Sequence, residues 1–296
     1  MSLRERVLLV GGIVAVLVVA ALIPTASESV PAVPSSAAQL GESGAGSTWY
    51  CAEGTANPGG RATEEIQIGN LGASSTRAVV SVDGGDAIAP VTREVTVPAG
   101  GVARVPVASI APIAEPGVVV ETVGGRPVVE HRITSGTDTA VGPCARGPSA
   151  MARFAAGTTA KGAELWLALF NPYPDDAIVD VSAITEGGVR TPVRLQGIVV
   201  PRTSRVSVPL HEALPRVDTV ATQVSVRRGR VVSEISQHLD GTDGRKGVAL
   251  SVGSDAARSR DSAWSVARSN SWIGASGSRS LMPFQRPSTS AACVKP

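Results

Sequence analysis

Beyond residue 48 the apolar positions of this chain recur with a period of two. Ala78, Val80 and Val82 alternate with Val79, Ser81 and Asp83. Val206, Val208 and Leu210 alternate with Arg205, Ser207 and Pro209, and Val220, Thr222, Val224 and Val226 with Ala221, Gln223 and Ser225. Successive strand side chains point to opposite faces, so each run predicts a strand with one buried side. Gly and Pro interrupt the runs at the spacing of about 8–12 residues typical of antiparallel sandwiches. Asp83-Gly84-Gly85, Gly124-Gly125, Glu186-Gly187-Gly188 and Arg228-Gly229 fall between runs and supply the positive φ that tight turns need. No amphipathic helix of three turns is predicted after residue 30.

The pattern repeats. Cys51-Ala52-Glu53-Gly54-Thr55 aligns with Phe154-Ala155-Ala156-Gly157-Thr158, and Asn70 with Asn171. Val97-Pro98 aligns with Val200-Pro201, and Gly125 through Glu130 with Gly229 through Glu234, all at offsets of 101–104 residues. Four matches in one order argue for a duplicated module. The expected fold is all-β: tandem immunoglobulin-like β-sandwich domains over residues 49–148 and 149–252, after an N-terminal transmembrane helix.

That helix is read from the apolar run Val7–Ile23, preceded by Arg4 and Arg6 and closed by Pro24. The run meets the lower limit of about 17 residues for a membrane span and exceeds a signal-peptide core of about 7–15. Residues 1–24 therefore read as a signal anchor in preference to a cleaved signal peptide. Either way the arginines stay in the cytoplasm and the bulk lies outside. Residues 25–48, rich in Pro, Ser, Ala and Gly, read as a flexible linker. Residues 253–296 are Ser/Arg-rich without alternation and read as a poorly ordered tail, truncated or frame-altered.

Composition narrows the function classes. Charged residues make up 18% of the chain and the net charge is +2, so no strong field points to nucleic acid. A hydrophobic share of 43% supports real cores. The three cysteines form no C-x-x-C motif, and no His stands at ligand spacing, which disfavours zinc and thioredoxin-like chemistry. Cys51 and Cys144 lie at the two ends of the first module; with an export signal they read as a disulfide, the alternative being two buried thiols.

The search for chemistry returns little. There is no G-x-S-x-G elbow, and Gly157–Gly162 has the wrong spacing for a phosphate loop. His131 shares a strand face with Val129 and Ile133 and reads as structural; His211 falls in a loop. Glu234 and His238 share a face about 13 Å apart along a strand, too far to pair. Glu130 and Glu234 hold equivalent positions and read as solvent-facing. Asp240–Gly244 reads as a hairpin turn, since it lacks the ligand pattern of a calcium loop. No catalytic residue, cofactor or metal ligand is assigned. The segment Asn171-Pro172-Tyr173-Pro174-Asp175-Asp176 is the loop of most interest, because prolines stiffen it and Tyr173, Asp175 and Asp176 are free for contact.

Trp49-Tyr50-Cys51-Ala52, Pro143-Cys144-Ala145, Leu167 through Asp176 and Val199-Val200-Pro201-Arg202 together resemble an actinobacterial exported family of unknown function (DUF5719-like). The resemblance runs over about residues 49–252 and implies a membrane-anchored, extracytoplasmic protein with β-rich domains. The expected function is a non-enzymatic interaction or scaffold protein of the cell envelope, single-pass in the membrane, with an envelope protein or glycan as partner and no nucleic acid. A carbohydrate-binding accessory to envelope polysaccharide assembly is the alternative.

Overall fold

The computed structural model describes residues 46–85 and 89–254, an all-β assembly of four sheets. The apolar run Val7–Ile23, the linker up to residue 45 and the tail from residue 255 lie outside the described residues. Among the described residues no helix is long and apolar enough to cross a membrane.

The first sandwich contains β1 (Ser47–Cys51), β2 (Thr63–Asn70), β3 (Thr76–Asp83), β4 (Val91–Val97), β5 (Val102–Pro106), β6 (Gly117–Val123), β7 (Pro127–Ser135) and β8 (Asp138–Pro143). Its sheets run β1-β6-β3-β4 and β5-β2-β7-β8. The second contains β9 (Met151–Phe154), β10 (Ala163–Asn171), β11 (Ala177–Thr185), β12 (Gly188–Arg190), β13 (Ile198–Val200), β14 (Ser204–Pro209), β15 (Val220–Arg228), β16 (Val232–Asp240) and β17 (Lys246–Val252). Its sheets run β9-β15-β11-β12, with β13 also on β11, and β14-β10-β16-β17. The two strand orders are the same once β4 is matched with the pair β12 and β13. His211, read as a loop residue, sits on the single-turn helix α1 (Leu210–Ala213).

Each sandwich closes over the alternating residues of its strands. Ile66, Ile68, Ala78, Val80, Val82, Val118 and Val120 fill the first core, and Leu165, Leu167, Leu169, Val179, Val181, Val224 and Ile235 the second. Cys51 and Cys144 are joined in a disulfide at one end of the first core, with Cα atoms 4.7 Å apart.

Asn70 and Asn171 show why the repeat is legible. Asn70 Nδ2 donates to the carbonyl oxygens of Ser74 (2.7 Å), Val97 (3.2 Å) and Pro98 (3.2 Å), and its Oδ1 accepts from Gly72 N at 2.9 Å. Asn171 Nδ2 donates to Asp175 (2.8 Å), Val200 (3.1 Å) and Pro201 (3.2 Å), and its Oδ1 accepts from Tyr173 N at 3.1 Å. One fully buried amide thus closes the same corner twice, donating to three backbone carbonyls at each. Asn171→Ala removes these bonds from a buried corner, and an expected loss of about 2–3 kcal/mol in urea unfolding checks this role.

The sandwiches meet end to face. The outer face of the β14-β10-β16-β17 sheet carries Ala168, Phe170 and Val232, which pack with Ala52, Tyr50, Val119 and Ala145 of the first sandwich. A Cβ on Gly117 would stand 2.1 Å from the Phe170 ring, so only glycine lets β6 approach here. Gly85 N also donates to Thr203 O at 3.1 Å.

Candidate functional site

The junction encloses a polar cluster that draws on both sandwiches. Period two places Glu64 and His131 on the inward faces of β2 and β7, at the end of the first core that meets the second sandwich. On β16 the inward positions are Ser233 and Ile235; Val232, Glu234 and Ser236 face outward, and outward here means toward the first sandwich. Glu234 Oε2 accepts from Ala52 N at 3.0 Å and Glu53 N at 2.7 Å, and lies 3.2 Å from His131 Nε2. His131 Nδ1 lies 3.1 Å from Glu64 Oε1.

Glu53, next along, is paired from two sides. Arg61 Nη2 donates to its Oε1 at 2.9 Å, and Arg205 Nη2, from β14, stands 3.5 Å from its Oε2. Arg205 also donates to Gly54 O and, at 2.8 Å, to Ser207 Oγ. Glu53, Glu64, His131 and Glu234 are all wholly buried, and Arg205 nearly so. Their desolvation is offset by this mutual pairing and by the bonds to the Ala52 and Glu53 amides, Gly54 O and Ser207 Oγ. Burial pushes the Glu64 carboxyl up, with the His131 hydrogen bond pulling it back. Burial works to strip the proton from His131, but Glu234 and Glu64 outweigh it and raise the pKa to about 10.

Sequence reasoning placed Glu234 in solvent beside its counterpart Glu130, and this is corrected: Glu130 is exposed, whereas Glu234 is fully buried. Both point away from their own cores, as alternation requires; only the second finds another sandwich there. One signal pointed to it. From Leu165 to Phe170 apolar residues fall at both parities except at Trp166's half-buried site, which marks a strand covered on both faces. His131, read as structural, is buried in line with that reading.

Beside the cluster a cleft of about 420 Å³ opens between the β7–β8 hairpin and the second sandwich, lined by Arg61, Ser135, Asp138, Glu164, His238 and Asp240. Burial and then Arg61 lower the pKa of His238, which keeps its ring neutral at pH 7. Its Nε2 stands 3.2 Å from Ser236 Oγ, and Ser236 is wholly buried. Among the described residues no group of three or more His, Cys, Asp or Glu side chains is placed to hold a metal ion.

The loop after Asn171 keeps Tyr173, Asp175 and Asp176 exposed. Its backbone is accounted for by the asparagine corner, by Thr203 N donating to Tyr173 O, and by Arg202 N donating to Asp176 Oδ1 at 3.0 Å. Tyr173 occupies the place of Gly72 in the first sandwich, so its position follows the repeat and its exposed ring is what the second copy adds. The faces of two tryptophans are engaged: the Arg61 guanidinium stands 4.1 Å from the Trp166 ring centre and that of Arg146 4.0 Å from Trp49.

Asp83, at the junction end of β3, has its carboxyl pushed up to about 6 by burial. Between the unfolded value near 4 and that pH the native protein holds a proton that the unfolded chain has released. Stability therefore falls as pH rises through this window and stays reduced above it. Asp83→Asn is expected to add about 1–2 kcal/mol at pH 7 and almost nothing near pH 3, read by thermal unfolding at the two values.

Residues 133–261 match the model of a family of unknown function (DUF5719), which supports the DUF5719-like resemblance; the match includes no residue before 133 and says nothing of an actinobacterial origin or of export. No curated protein matches the chain. Among solved structures, the crystal structure of a Bacteroides uniformis beta-glucuronidase is 12% identical, with a TM-score of 0.19; the match covers 69% of this chain and 25% of that one. This chain spans about a quarter of that protein's length, and the likeness is too low to bear on fold or activity.

Proposed function

With residues 133–261 matched by the DUF5719 family as the premise, we propose that the chain is a non-enzymatic interaction or scaffold module of the cell envelope. In this reading two immunoglobulin-like sandwiches stand outside the membrane, tethered by the apolar run Val7–Ile23 and spaced by the part of the 25–48 linker that precedes β1 at Ser47. The Cys51–Cys144 disulfide carries the reading, because such bonds persist in oxidising, extracytoplasmic compartments. A junction locked by buried pairs suits a rigid presenter of loops, with Tyr173, Asp175 and Asp176 as the first contact surface.

The test is protease shaving of spheroplasts that carry the full chain, joined to a photo-crosslinking amino acid at position 173. Digestion from outside, a membrane-retained N-terminal fragment and a discrete crosslinked envelope protein are expected. A soluble cytosolic product with free thiols overturns the reading. Carbohydrate binding is the second reading, favoured by the polar cleft at Glu164, His238 and Asp138. It ranks lower because Arg61 and Arg146 already lie on the Trp166 and Trp49 rings on which a sugar would stack. Glycan binding lost in His238→Ala, a residue of that cleft, would reverse that order.

A further inference from the structure

His131 lies between two buried carboxyl groups, one from each sandwich. Glu64 faces it from β2, Glu234 from β16 across the junction, and Arg205 adds its charge from β14. Glu53, in the segment after β1, completes the cluster with Arg205 and with Arg61, in the segment before β2. Three carboxyl groups face two guanidinium groups, so a neutral imidazole leaves either an unmatched negative charge or a proton on Glu64, whose carboxyl burial already pushes up. Arg132, next along β7, is turned to the other face and pairs with Glu65 instead.

We propose that His131 is a proton lock: its imidazolium, gripped by one carboxylate from each sandwich, keeps the two docked, and loss of that proton releases the second sandwich from the first. The lock is conformational and independent of what the envelope module binds. Its direction follows from the pairing. The native ring holds its proton up to about pH 10, whereas an unfolded histidine loses it near 6.5. The proton's contribution to folding is therefore complete below about pH 6.5 and disappears as pH rises through about 10; the share that belongs to docking is the pairing with Glu234, since an undocked first sandwich still holds Glu64 against the ring. The lock is closed at neutral pH and opens on the alkaline side.

Two probes in the full chain test it. Imidazole NMR reports the charge of His131, and fluorinated phenylalanine reports docking, since Phe170 lies at the junction and Phe154 inside the second core. The expected result is a ring that stays charged beyond pH 9, with the Phe170 signal moving at the same midpoint and the Phe154 signal still. Glu234→Gln keeps an acceptor for Ala52 and Glu53 N–H but removes the charge. It should lower the midpoint by more than one unit, a tenfold or greater loss of proton affinity. If that variant does not fold, Glu64→Gln tests the same pairing from the other sandwich, and the unmodified chain still decides. A ring that titrates near 6.5, a Phe170 signal unmoved across the midpoint, or variants that leave the midpoint in place would each overturn the lock.

Discussion

Glu234→Ala is expected to destabilise the protein by about 3–5 kcal/mol, while Glu130→Ala, at the equivalent position of the other sandwich, changes stability by less than about 0.5 kcal/mol. The contrast rests on location alone. Removing the Glu234 carboxylate leaves the His131 imidazolium facing only Glu64, and takes the acceptor from the Ala52 and Glu53 amides, all inside the junction. A buried charge stripped of its partner costs far more than the pair contributes. Glu130 lies on the exposed face of β7, where water replaces whatever it touches. Urea unfolding of the two variants side by side measures the difference, and equal losses would show that the junction carries no special weight.

Reduction of the Cys51–Cys144 bond is expected to cost about 4–5 kcal/mol. The bond closes a loop of 93 residues, and the chain-entropy model scales the stabilisation with the logarithm of that length. It ties β1 to the segment that follows β8, so that the first and last strands of the sandwich cannot leave independently. Both sulfurs are buried in the first core, and a Cys51→Ala/Cys144→Ala variant therefore loses packing in addition. Unfolding with and without reductant gives the size of the effect. The second sandwich, which holds no cysteine among its described residues, should keep the stability of its own core.

The strands were legible because they are half-buried: a residue such as Val80 must be apolar and its neighbour Ser81 need not be. The duplication was legible because one corner is built twice around Asn70 and Asn171. The junction was not, since alternation says only which face of a strand leaves its own core and nothing about what lies beyond it. Glu130 and Glu234 look alike to that rule, and the difference between them is made by an interface between segments some 180 residues apart in sequence, as with Ala52 and Glu234. Likewise the Tyr173 loop was readable as a stiff, exposed turn, whereas the amide that shapes it serves the fold and not the contact surface.

Hydrogen exchange at two backbone amides probes the union of the sandwiches most directly. Ala52 and Glu53 lie outside every strand, and the acceptor of both is Glu234 of the second sandwich. If the two sandwiches form one rigid body at neutral pH, these amides are protected as strongly as those of β2 and β10. Exchange at the rate of an open loop would mean that the sandwiches part freely, and would contradict the account.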